Sequence, residues 1–206
     1  MKFLLPVGGI VDERFGILTS PSHKGIPVGI QNGMIWAADN NSFNNTFESD
    51  RFLSWLELMR PYKPTCLFVT VPDVLADAVA TAKRYNEWSP KLEDWKLAYV
   101  AQDGMEELPD VDYDTLFIGG TTEYKLSKTV EKLIQKARDE GKHIHIGRVN
   151  YRKRYNHFAL MEGSNEFTCD GTRNRFEGVE RAIKSWSSYT AQSPLHRIIS
   201  DSDSCG

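Results

Sequence analysis

The sequence predicts one α/β domain, a compact (β/α)8 barrel of the TIM type, and two observations carry that expectation. From residue 66 onward, short apolar runs alternate with amphipathic helical patterns: "CLFVTV", "LAYVA", "TLFIGG", "HIHIG" and "EFTCDG". The runs are apolar throughout rather than alternating, as expected of parallel strands covered on both faces. The second observation is that nearly every run ends in a polar residue or glycine: Asp39, Asp73, Gln102-Asp103, Gly119-Gly120, Gly147-Arg148 and Asp170-Gly171. An open doubly wound sheet gathers its functional residues mainly at one switch point, whereas a barrel turns every strand end toward one mouth. At 206 residues the chain is shorter than the roughly 250 typical of such barrels, so one strand–helix unit is expected to be abbreviated.

Taken in order, "FLLPV", "FGILTS" and "IPVGI" supply strands within the first forty residues, and "MIWAAD" supplies the next. A helix follows in "SDRFLSWLELMR", where Phe52, Trp55, Leu56 and Met59 share one face. After "CLFVTV" the segment "VLADAVATAKRYNEW" reads as a helix in which Leu75, Val79, Ala82 and Tyr85 or Asn86 recur at helical spacing. "SKTVEKLIQKARDEG" has Ser127 as N-cap and Gly141 as C-terminal stop. "YRKRYNHFALMEG" is a helix ending at Gly163, and "EGVERAIKSWSSY" is the last one. The barrel domain is expected to span residues 1–200, with 201–206 a frayed tail. His143 and His145 are read as one facing the barrel interior and the other the helices, both structural.

Bulk properties narrow the function classes. A net charge of −3 gives no global attraction to nucleic acid, so such binding needs a local basic patch. The three cysteines, Cys66, Cys169 and Cys205, form no CxxC pair; this argues against a disulfide framework or a zinc site and fits a reducing cytoplasm. No apolar stretch approaches the roughly 20 residues of a membrane span. "MKFLLPVGG", broken by Pro6 and followed by Asp12 and Glu13, is a poor signal peptide. Glycine-rich dinucleotide, P-loop, HExxH and Gly-x-Ser-x-Gly signatures are absent. The expectation is a cytoplasmic protein with no cofactor, no metal and no membrane partner.

The strand ends would bring Asp39, Asp73, Gln102, Asp103 and Asp170 into one cavity, beside the Gly119-Gly120 backbone and Arg148. Two carboxylates there suit glycosidic chemistry: one attacks an anomeric carbon while another moves a proton on the leaving group. Carboxylates with an amide also read the polar edge of a purine-like base. Each residue has a plainer alternative. Asp73 could cap the next helix, Asp39 could belong to an Asx-rich loop, Gly119-Gly120 and Asp170-Gly171 could be turns, and Asp103 could face solvent or cap a turn. The stretch "GRVNYRKRYNH" puts Arg152, Lys153 and Arg154 near Arg148, Arg173 and Arg175. These could hold phosphates while Tyr151 and Tyr155 stack on bases; the alternative is a solvated helix face.

The ordered motifs "WAADNNSF", "FVTVPDVLADA", "YVAQDG", "LFIGGTTEYKLS", "HIGRVN" and "FTCDGT" resemble the tRNA-guanine transglycosylase superfamily, over about residues 1–185. The likeness is closer still to its short, phage- and island-encoded branch, which inserts 7-deazaguanines into DNA. The resemblance implies a pentosyltransferase that exchanges guanine for a base such as 7-cyano-7-deazaguanine through a covalent aspartyl-sugar intermediate. It implies that Asp39 handles the leaving-base proton, Asp73 and Gln102 read the guanine edge, and the Gly119-Gly120 backbone touches the base. It makes Asp170 the nucleophile. Asp39 is followed by Asn-Asn-Ser rather than the Ser-Gly-Gly of the tRNA enzymes, a departure that bears on the contacts to the base. Their cysteine-rich zinc subdomain, which supports tRNA binding, is missing, and that loss favours DNA over tRNA. Other expectations are the same exchange on tRNA, sugar transfer on free nucleosides, and a base-binding subunit that needs a partner protein. Expression in a host cytoplasm would follow if the gene is phage-borne.

Overall fold

A computed structural model describes residues 1–6, 11–42, 47–162, 167–171 and Lys184. Eight parallel strands close into a barrel: β1 (Lys2–Leu5), β2 (Gly16–Thr19), β3 (Trp36–Ala38), β4 (Cys66–Thr70), β5 (Leu97–Ala101), β6 (Thr115–Ile118), β7 (His143–Ile146) and β8 (Thr168–Cys169). Each pairs with the next, and β8 returns to β1 through Lys2 opposite Thr168 and Phe3 opposite Cys169. The helices are α1 (Val28–Gln31), α2 (Ser49–Met59), α3 (Ala78–Trp88), α4 (Thr122–Lys125), α5 (Lys128–Asp139) and α6 (Arg152–Ala159).

The uniformly apolar strands follow from this geometry. Successive side chains point to opposite faces, and here both faces are dry. Phe3, Leu5, Ile17, Trp36 and Val69 pack outward against the helical layer, while Leu4, Leu18, Ala37, Phe68 and Ala98 form a separate cluster. That second cluster fills the barrel. Phe68 of β4 lies with its ring centroid 5.0 Å from that of His145 on β7, a contact across three strands that only interior side chains can make. The inner face of α2 is as expected, with Phe52, Trp55, Leu56 and Met59 all buried. Ser127 caps α5 by accepting from the Val130 amide, and Gly141 turns the chain out of it at φ 73°.

Three expectations are corrected. "IPVGI" is not a strand: Pro27, which has no amide to give a ladder, leads into the one-turn α1 instead. This four-residue helix is the one helix in the 20–35 connection between β2 and β3, so that unit is abbreviated. The second correction concerns α3, which starts later than its apolar spacing suggests, because Asp77 caps it by accepting from the Ala80 amide at 2.9 Å. Leu75 precedes the helix, Val79 is 83% exposed, and the buried face is Thr81, Tyr85 and Trp88. The third concerns the histidines. Residues two apart share a face of a strand, so His143 and His145 both point inward and both bond the Thr168 hydroxyl, each at 2.8 Å. Gly163, Arg173, Arg175, the expected helix at 177–189 apart from Lys184, Cys205 and the 201–206 tail lie outside the described residues.

Candidate active site

A cavity of about 320 Å³ opens at the C-terminal end of the barrel, and its wall includes Asp39, Asp73, Gln102, Gly119, Gly120, Arg148 and Asp170. All seven residues predicted for catalysis and base contact therefore meet at one mouth. The volume suits a nucleobase with part of its sugar.

Asp39 extends the β3 ladder, its amide bonding the Thr19 carbonyl at 2.7 Å, and its carboxylate takes the Asn41 amide at 2.9 Å. Both readings of this residue hold at once: it closes an Asx turn and it lines the cavity. Burial pushes its carboxyl up to about 6, helped by the charges of Asp170 and Asp73, while the Asn41 amide and Arg148 oppose the shift. Asp73 is not a helix cap, since Asp77 holds that place. One of its oxygens accepts from Asn40 Nδ2 at 2.9 Å and the other from Gln102 Nε2 at 2.6 Å. Gln102 is buried, and its carbonyl oxygen accepts the Ala76 amide at 2.9 Å. That bond holds the 74–77 turn, where Ala76 adopts φ 57°. The amide is thus a strut that links Asp73 to this turn.

Gly119 has a specific reason to be glycine. A Cβ there would sit 2.7 Å from Val100 Cγ1 and 3.0 Å from Gln102 Nε2, closing the cavity floor. Asp103 is half-exposed and is not among the residues that line the cavity; it caps a turn instead. It accepts from the Thr121 amide and hydroxyl, and so fixes the turn that carries Gly120.

Asp170 is nearly buried, at 9% exposure, and both of its oxygens accept hydrogen bonds. One takes the Arg148 amide at 3.1 Å and the other faces His145 Nε2 at 3.2 Å. Burial lowers the pKa of His145, with Asp170 opposing, and lowers that of His143 to about 4, so both rings are neutral near pH 7. The tautomers then follow. His145 donates from Nε2 to Asp170, its Nδ1 accepts from the Thr168 hydroxyl, and Thr168 in turn accepts from His143 Nε2. A chain of polar groups runs from the barrel centre to the carboxylate at its mouth.

The basic helix is more mixed than its sequence. Arg152 and Lys153 are exposed. Arg154 turns back to bond the Arg148 carbonyl at 2.6 Å and the Thr122 hydroxyl at 2.9 Å. Tyr151 is 63% exposed, but Tyr155 is buried and stacked on Phe3 at 5.5 Å, so it cannot stack on a base.

Four functional candidates escaped sequence reasoning: Asn40, Thr70, Lys125 and His145. Thr70 lines the cavity, is 3% exposed, and its hydroxyl has no partner among the described residues. Such a group is costly unless a ligand satisfies it. Lys125 is buried in the same wall with Nζ donating to the Gly147 carbonyl at 2.8 Å. Only its short turn, "GGTTEYK", distinguished it in the sequence, and that is no signal. Among the described residues no cluster of three histidine, cysteine, aspartate or glutamate side chains could hold a metal ion, and no helix is long and apolar enough to cross a membrane. Comparison of the chain with protein-family models and with curated proteins returned no match.

Proposed function

We propose that the protein is a DNA-guanine transglycosylase that exchanges guanine for a 7-deazaguanine base by double displacement. The observation that carries this reading is the pairing of two carboxylates with opposite surroundings in one cavity. Asp170 presents a carboxylate held by two N–H donors, whereas Asp39 is biased toward its neutral acid. Breaking an N-glycosidic bond needs both: an anion to trap the cationic sugar, and a proton for the departing base.

In the first half-reaction the Asp170 carboxylate attacks C1′, forming a C–O bond as the C1′–N9 bond breaks. The electron pair stays on guanine, which takes the proton of Asp39. In the second, Asp39 accepts a proton from the incoming base as its nitrogen attacks C1′, and Asp170 leaves as carboxylate. Protons and electrons balance without a cofactor. Asp73, preset by Asn40 and Gln102, supplies acceptors for the amino and imino hydrogens of a guanine edge; Thr70 supplies a further hydroxyl.

Arg152 and Lys153, exposed on the helix after β7, support a nucleic-acid substrate over a free nucleoside. Reaching the base within duplex DNA requires flipping it from the stack, at a cost of a few kcal/mol, so single-stranded or distorted sites should react faster. The test is incubation with labelled guanine and either DNA or tRNA. Label in DNA is expected. Label in tRNA alone would move the substrate, and label in neither would overturn the reading.

A further inference from the structure

Lys125 has no role in that mechanism, yet it is one of the most buried cations described, 3% exposed in the cavity wall. Its ammonium carries three donors, of which the Gly147 carbonyl takes one. It forms no ion pair among the described residues. A buried ammonium is costly unless paired, and a strut to one carbonyl would need only one neutral donor. The charges around it come from three neighbouring elements: Asp170 after β8, Asp103 after β5, and Arg148 with Arg154 on the β7–α6 side. Burial brings its pKa down to about 8, with Arg154 and Arg148 adding to that effect and Asp170 and Asp103 opposing it. The ammonium is therefore still charged near neutral pH but poorly compensated, which is the condition of a cation awaiting an anion.

We propose that Lys125 is the anchor of an anion subsite beside Asp170, which takes a phosphodiester flanking the target nucleotide. The choice of phosphodiester rests on the base-exchange reading. If Asp170 meets C1′, the phosphates on the same sugar must pass within a few bonds of that carboxylate, on the wall where Lys125 lies. Arg148, which lines the same cavity and whose carbonyl accepts from Arg154, extends this cationic wall from the β6 end to the β7 end.

The test is calorimetric titration with a guanine-containing dinucleoside phosphate and with its uncharged methylphosphonate, free guanine serving as a separate ligand. The wild-type protein should prefer the phosphodiester by about tenfold or more, as expected for hydrogen bonds to a charged group. The preference should disappear in K125M, and in the wild-type protein as pH rises through the lysine's range, between about pH 7 and 9. The ratio of the two affinities cancels titration of the base itself, and the pH arm needs no variant to fold. A preference retained in K125M, or absent from the wild-type protein at pH 7, would overturn the subsite. Loss of guanine binding with the phosphodiester preference intact would instead contradict the base-exchange reading and leave the subsite standing. Inorganic sulfate, ionised throughout this range, separates the sources: tight binding of sulfate alone would show a free-anion site and overturn the flanking-phosphate assignment.

Discussion

Asp39 and His145 show how single residues set the chemistry of this cavity. Burial and two nearby carboxylates raise the Asp39 pKa to about 6, so the native state holds a proton that the unfolded chain releases near pH 4. The native state binds more protons across that window, and stability therefore falls as pH rises from about 4 to about 6. Asp39→Asn keeps an oxygen for the Asn41 amide and carries no charge. It should stabilise the protein at pH 7 by on the order of 2 kcal/mol, and flatten the fall, while abolishing exchange. Equal denaturation midpoints for variant and wild type at pH 7 would remove the case for Asp39 as the acid. His145→Asn probes the opposite carboxylate. It breaks the chain from Thr168 to Asp170, and a nucleophile displaced by about 1 Å can lose about a hundredfold in rate. Single-turnover rates should fall by about that factor with free-guanine affinity unchanged. If affinity falls instead, His145 acts through packing. The sequence placed both histidines on a strand but not their function, because the Asp170 contact spans 25 residues of chain.

At the scale of elements, β7 and α6 do separate jobs that their sequence runs together. The HIHI strand sends two imidazoles inward, and the following helix sends Tyr155 into the outer core, Arg154 back to the β7 loop, and only Arg152 and Lys153 outward. A run of basic residues looks uniform in sequence, but helical phase divides it. Reversing Arg152 and Lys153 to Glu should weaken DNA binding and shallow its salt dependence by about 0.7–0.9 in log–log slope per lost phosphate contact. An unchanged slope would make this a solvated helix face. The same logic explains α3. Leu75 and Val79 matched a helical period, yet the Asp77 cap shifted the helix start and left them outside the buried face. Local capping chemistry outweighed apolar spacing.

For the molecule as a whole, closure of the barrel makes the site. Asp39, Asp73, Gln102, Gly119 and Asp170 lie up to 131 positions apart in sequence, and closure of the ring of strands turns their ends to one cavity. That convergence was readable because polar strand ends recur in register along the chain. The second layer of the site was not readable. Asn40, Thr70 and Lys125 matter through distances across the barrel: Lys125 meets a carbonyl 22 positions away, and no periodicity encodes that. In the proposed exchange Asp170 becomes covalently bonded to the sugar while Asp39 protonates the departing base. Its most direct measurement is denaturing electrophoresis of the protein quenched during reaction with a guanine-containing oligonucleotide. The wild-type protein should yield a protein–DNA adduct, mapping by peptide mass to Asp170, and Asp170→Asn should yield none while still folding and binding DNA. An adduct formed by Asp170→Asn, or one mapping to another residue, would show that Asp170 is not the nucleophile.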